Sequence, residues 1–106
     1  MLRHVVVFTW SDDADEERRA ATLAELARLP ETVGGMTAFA VGPDAGLRAG
    51  NAHAALVADF PDVEAWRRYA EDPVHLQVIA EYVTPILATR TAVQYDVTDP
   101  VPLTPR

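Results

Sequence analysis

The sequence predicts a single α+β domain in which four β-strands and two helical regions follow the order β-α-β-β-α-β. Three observations support this: apolar segments rich in β-branched residues alternate with a period of two, helix-start signals follow the first and third of them, and a glycine-punctuated loop joins the second to the third. This order is the split β-α-β arrangement of ferredoxin-like folds, with a four-stranded antiparallel sheet. A chain of 106 residues is long enough for one domain with one core.

The predicted strands alternate their side chains between two faces of the sheet. They span residues 2–10, 36–41, 52–60 and 89–97. In the first strand, one face carries His4, Val6, Phe8 and Trp10, and the other carries Arg3, Val5, Val7 and Thr9. Both faces are largely apolar, so both must be covered. The chain's own helices can cover one face, and we expect a second copy to cover the other, giving a homodimer that pairs sheet faces.

The first helical region begins after a run of acidic residues. Asp13 is followed three residues later by Glu16, which resembles a capping box with Asp in place of Ser or Thr. Acidic side chains in the first turn also suit the positive end of the helix dipole. We expect this helix to run to about Leu29, where Pro30 ends it.

The second helical region is divided by a proline. Asp62 supplies one N-cap, and Asp72 followed by Pro73 supplies a second start signal. A helix that stops and restarts brings side chains from both halves together at one corner. We expect the second half to end near Ala88, with Pro85 either kinking it or stopping it earlier.

The composition argues against several classes of partner. The net charge is −7, which disfavours nucleic acid and anionic membrane surfaces. The chain has no cysteine, which excludes disulfides and fits a reducing compartment. No apolar run approaches the roughly 20 residues of a membrane-spanning helix, and the N-terminal run is too short for a signal peptide. We therefore expect a cytoplasmic protein, with a domain over residues 1–98 and a proline-rich, extended tail over residues 99–106.

The spacing of possible ligands does not indicate a metal or a cofactor. The three histidines are His4, His53 and His75, and no pair has the spacing of a metal-binding motif. The glycines match neither a phosphate loop nor a dinucleotide fingerprint, and there is no G-x-S-x-G nucleophile motif. We expect no metal and no cofactor.

Tyr69 and His75 are the candidate catalytic residues, because they lie on either side of the Asp72-Pro73 break. An imidazole can remove an acidic C–H proton, and a phenol can donate a hydrogen bond to the oxyanion that develops. The alternative for His75 is a half-exposed histidine in the first turn of a helix. The alternative for Tyr69 is core packing with its hydroxyl at the surface.

Further residues are expected around this pair. His4 and Asp96 face the helices if Phe8 faces inward, and each needs a polar partner when buried, so they could serve one another. The candidate substrate-binding residues are His4, Phe8, Trp66, Ile79 and Asp96.

Several segments resemble the stress-responsive dimeric α/β-barrel (Dabb) family. They are R-H-V-V-V-F at the start, P-E-T-V-G-G-M after the first helix, Y-A-E-D-P-V-H from Tyr69 to His75, and the closing Y-D-V. The resemblance implies a ferredoxin-like protomer whose sheet pairs with that of a second copy. A plant member, olivetolic acid cyclase, closes a linear polyketide by aldol condensation using the tyrosine and final histidine of the third segment. The resemblance places its other site positions at His4 and Asp96.

Three functions remain open from the sequence. The first is a stress-associated homodimer with a pocket for a small apolar or aromatic molecule, of undefined reaction. The second is a cofactor-independent polyketide cyclase with His75 as base and Tyr69 as oxyanion donor. The third is a structural dimer without a ligand.

Overall fold

A computed structural model of the chain describes residues 1–98, and the expected tail at residues 99–106 lies outside them. The elements are β1 (Leu2–Trp10), α1 (Glu16–Ala27), α2 (Leu29–Thr32), β2 (Ala38–Pro43), β3 (Ala54–Phe60), α3 (Val63–Glu71), α4 (Pro73–Val78) and β4 (Leu87–Asp96). Two irregular turns, Ile79–Val83 and Thr84–Ile86, join α4 to β4. The predicted β-α-β-β-α-β order is confirmed.

The four strands form one antiparallel sheet in the order β2-β3-β1-β4. β1 is central, and its register places His4 opposite Ala58 on one side and opposite Gln94 on the other. Phe8 lies opposite Ala54 and Arg90 in the same way. Because paired residues point to the same face, β1 determines which residues of β3 and β4 face the helices.

The two faces of the sheet differ in how well the chain covers them. Every second residue of β1, from Leu2 to Trp10, is buried against the helices, and the residues between them are only half-buried. On the open face, Val93 and Tyr95 of β4 are 52% and 46% exposed. The same face carries an ion pair between the Arg3 guanidinium and the nearly buried Asp59 carboxylate, whose two hydrogen bonds measure 2.8 and 2.9 Å.

The first helical region departs from the expected capping. The side chain of Asp15, not Asp13, caps α1 by accepting a hydrogen bond from the Arg18 backbone N–H at 2.8 Å. The carboxylate of Asp13 instead accepts a hydrogen bond from the Ser11 hydroxyl at 2.7 Å. The helix ends at Ala27, and Pro30 lies inside the one-turn helix α2, where its missing N–H costs nothing.

The second helical region starts as expected but ends differently. Asp62 and Asp72 cap α3 and α4 through their side chains. After α4 the helix widens into a π-type turn, in which the Thr84 N–H donates to the Ile79 carbonyl, and a 3₁₀ turn containing Pro85 follows. Val78, Val83 and Ile86 are all buried, and the strand begins at Leu87 instead of residue 89.

Within residues 1–98, no helix has the length and apolar character needed to cross a membrane.

We expect Leu29→Ala to lower the free energy of unfolding by about 2–5 kcal/mol, because it leaves a cavity in the core. Leu29 is completely buried, whereas Leu47 is 84% exposed. Leu47→Ala is therefore the matched control and should change stability little. Urea denaturation of both variants checks this, and similar losses in the two would contradict the packing described.

Candidate functional site

A cavity of about 190 Å³ lies between the helix-facing side of the sheet and the corner formed by α3, α4 and the turn that follows. Its lining residues are His4, Val6, Phe8, Leu26, Leu56, Trp66, Tyr69, Ala70, His75, Leu76, Ile79 and Arg90. Most of them are apolar. The few polar groups in the wall therefore determine what chemistry the cavity can support.

Tyr69 and His75 meet at the cavity, across the break between α3 and α4. Their ring centroids are 4.3 Å apart, and Tyr69 is only 3% exposed. Asp72 follows the last residue of α3, and its side chain caps α4, which begins at Pro73. The chain therefore turns between Tyr69 and His75. This local sequence signal is what brings the rings together.

The hydrogen bond of His75 determines which ring nitrogen is free. Nδ1 lies 3.3 Å from the Ala70 carbonyl oxygen, which can only accept, so Nδ1 carries the proton and donates. Nε2 is then an unprotonated acceptor. Burial lowers the pKa of His75 and outweighs the opposing effects of Ala70 and Asp72, so the ring is neutral near pH 7.

Tyr69 stays protonated under the same conditions. Burial raises the pKa of its hydroxyl to about 12. Among residues 1–98 the hydroxyl makes no hydrogen bond within 3.5 Å, so it can donate to a molecule in the cavity.

His4 is the second imidazole of the site. It is 6% exposed, and its ring centroid lies 6.1 Å from that of Tyr69. The side-chain amide nitrogen of Gln94 donates to Nδ1 at 2.8 Å, which leaves the ring proton on Nε2. Burial, together with the charge of Arg90 and the neighbouring His75, lowers the pKa of His4 to about 4. His4 is therefore a neutral donor, whereas His75 is a neutral acceptor.

The cavity brings together all but one of the residues expected from the sequence. His4, Phe8, Trp66, Tyr69, His75 and Ile79 line it. Asp96 does not: it is exposed and lies opposite Leu2 at the end of the sheet. The polar partner of His4 is Gln94 instead, because the pairing of β1 with β4 sets His4 directly across from it.

Arg90 is a lining residue that the sequence reasoning missed. It follows from the period-two alternation of β4, since Arg90 shares a face with Gln94 and Asp96. The indole Nε1 of Trp66 is buried without a partner among residues 1–98, so it is not one of the donors open to the cavity.

Among the described residues, no group of three or more His, Asp or Glu side chains has the geometry of a metal site.

Comparison with known proteins identifies the family. Residues 2–97 match the family described as the stress responsive A/B barrel domain, Dabb. The chain belongs to this family. Comparison with curated protein sequences gave no match.

Solved structures of Dabb-like fold agree with the ferredoxin-like topology. A dimeric ferredoxin-like protein of unknown function from Thermobifida fusca is 33% identical, with a TM-score of 0.83 over 91% of this chain and 90% of that one. A Dabb family protein from Mesorhizobium loti is 22% identical, with a TM-score of 0.75 over 97% of both chains. A hydroxynitrile lyase from Passiflora edulis is 19% identical, with a TM-score of 0.80 over 95% of this chain and 96% of that one. The latter two show the fold alone.

The low pKa of His4 predicts a stability change on acidification. In the unfolded chain a histidine titrates near pH 6.5, whereas the pKa of His4 in the fold is about 4. Between these values the unfolded chain binds more protons, so stability falls as the pH decreases, by on the order of 3 kcal/mol across the window.

Urea unfolding between about pH 7 and about pH 4, combined with NMR titration of the imidazole signals, measures this effect. In His4→Gln the loss of stability on acidification should be smaller than in the unmodified protein. His53→Gln is the control, because His53 lies outside the cavity. An unchanged pH dependence in His4→Gln would show that His4 does not titrate as described.

Proposed function

We propose that this Dabb protein is a homodimer that binds a small apolar or aromatic molecule in the cavity and removes a C–H proton from it. One observation carries the proposal: an unprotonated imidazole nitrogen and a protonated phenol share the wall of an apolar cavity. A base beside a hydrogen-bond donor in an apolar cavity is an arrangement that suits enolate chemistry.

In the proposed reaction His75 is the general base. Its Nε2 takes a proton from a carbon next to a carbonyl group, and the electron pair of the C–H bond moves to the carbonyl oxygen. Tyr69 donates a hydrogen bond to that developing oxyanion, and the Nε2–H of His4 is a second donor on the same wall. The carbanion is then free to be reprotonated or to attack a second carbonyl in the same molecule.

The cavity also bears on the two alternatives. A polyketide cyclase would use the same base and donor for an intramolecular aldol condensation, but 190 Å³ holds about one ring with a short substituent. The geometry thus favours a smaller enolisable substrate. A structural dimer without a ligand is disfavoured, because a well-packed core leaves few voids larger than a water molecule. The hydroxynitrile lyase of the same fold supports an enzymatic role.

The open face of the sheet supports the homodimer. Valines from β1, β3 and β4 (Val5, Val7, Val57 and Val93) share this face with Tyr95. A similar chain from Thermobifida fusca is described as dimeric. A stress-related role and a cytoplasmic location stay predictions.

We expect Val93→Asp to raise the dissociation constant of the dimer at least about tenfold, because it buries a charge in an apolar interface. Val63→Asp is the matched control, since Val63 is 45% exposed on α3, away from the open face. Analytical ultracentrifugation of the unmodified protein and both variants measures the effect. A folded monomer of the unmodified protein at micromolar concentration would overturn the homodimer.

Proton abstraction can be tested without knowing the natural substrate. The probe is 5-nitrobenzisoxazole, whose ring N–O bond breaks when a base removes its C–H proton, releasing a coloured cyanophenolate. We expect His75→Ala to lower kcat/KM at least about 100-fold, and Tyr69→Phe to lower it by a smaller factor.

Tyr82→Phe is the matched control, because it removes the same hydroxyl from a tyrosine outside the cavity. Circular dichroism should show each variant folded. A rate with the unmodified protein no higher than that of free imidazole, or full activity in His75→Ala, would remove the proposed base.

A further inference from the structure

We propose that the ligand of this cavity is a small monocarboxylate, whose carboxylate binds Arg90 at the mouth and whose aromatic or branched apolar body fills the interior. This inference rests on the proposed small-molecule cavity and names the class of molecule that it selects. Arg90 is exposed on β4 and lies opposite Phe8, at the edge of the apolar lining.

The polar groups of the cavity wall are mostly donors. The Arg90 guanidinium, the Tyr69 hydroxyl and the Nε2–H of His4 can all donate, and His75 Nε2 is the acceptor reserved for the substrate proton. A neutral ligand with a single carbonyl group could accept hydrogen bonds from only some of these three donors. A carboxylate offers two oxygens with about four acceptor sites, and it matches a guanidinium in a bidentate geometry.

The wall also lacks the charges that would repel an anion. The chain has 16 acidic residues and a net charge of −7, yet none of the described lining residues is Asp or Glu. A carboxylate therefore finds a locally favourable site on a protein that repels anions overall.

Arg90 is available for such a contact. The ion pairs formed within residues 1–98 join Arg3 to Asp59, Arg28 to Glu25 and Arg67 to Glu64. Arg90 takes part in none of them. Burial is the main cause of the lowered pKa of His4 and of His75, and the positive charge of Arg90 adds to it, so this charge acts inside the cavity.

The size of the cavity and the single cation limit the ligand further. An apolar cavity of about 150 Å³ holds benzene, so 190 Å³ holds one ring with a substituent of a few atoms. One arginine neutralises one negative charge. A phosphate dianion would keep an uncompensated charge beside apolar walls, which is costly. A monocarboxylate leaves no such excess.

The test compares benzoate with benzamide, which has nearly the same shape but no charge. Isothermal titration calorimetry on the full-length protein measures both affinities, and NMR shifts of the Tyr69 and His75 rings locate the binding. We expect benzoate to bind roughly fivefold to tenfold more tightly, because the guanidinium is exposed and its contact is partly screened. Arg90→Gln should reduce this ratio to about one.

Arg48→Gln is the matched control, since it removes the same charge from an exposed loop and should leave the ratio unchanged. Equal binding of both probes to the unmodified protein would overturn the carboxylate preference and leave the proposed cavity function standing. A preference that persists in Arg90→Gln would also overturn this inference. Binding of neither probe would remove both the inference and the proposed small-molecule function.

Discussion

The register of β1 against its two neighbours is the constraint on which the rest of the structure depends. Two adjacent residues of β1, Arg3 and His4, point to opposite faces, and each has a polar partner on a different strand. Arg3 pairs with Asp59 of β3, and His4 pairs with Gln94 of β4. A shift of one residue would send the imidazole to the open face and the guanidinium into the core. Because both groups would then lose their partners, these contacts favour one register.

The cavity follows from this register together with the break between α3 and α4. The sheet supplies His4 and Phe8 from one face of β1 and Arg90 from the position opposite Phe8 on β4, and the corner supplies Tyr69 and His75. In the proposed reaction the corner supplies the base and one donor, and the sheet adds His4 as a second donor. A π-type turn from Ile79 to Val83 follows, and Ile79 lines the cavity. Such turns are frequent at functional sites, where they reorient the side chains that follow.

The parts of the site that the sequence could predict are those governed by local rules. Strand alternation placed His4 and Phe8 on the helix-facing side, and the Asp72-Pro73 signal placed Tyr69 and His75 at one corner. The predicted contact between His4 and Asp96 failed because it depends on the pairing of two strands that are distant in the sequence. Whether His4 meets Asp96 or Gln94 is decided by a register that alternation alone does not specify.

The wrong prediction of Asp13 as the N-cap of α1 and the early start of β4 have similar causes. Asp13 and Asp15 are both suitable N-caps, and a hydrogen bond from Ser11 to Asp13 is what leaves Asp15 for the helix. The widened turn before β4 depends on tertiary packing, because Val83 and Ile86 must both reach the core around Pro85. Local patterns do not contain that information. They indicated only that Pro85 would disturb the helix.

The low pKa of His75 is best understood as a consequence of burial and not as a way of making a stronger base. A histidine with an ordinary pKa of about 6.5 is already about three-quarters unprotonated at pH 7. Lowering the pKa further therefore increases the free-base fraction by less than about 1.4-fold, while it reduces the intrinsic affinity for the proton. Any catalytic advantage must come from elsewhere in the site. In the proposed reaction it comes from the fixed tautomer, since Nδ1 donates to the Ala70 carbonyl and leaves Nε2 as the acceptor, and from the donors beside it.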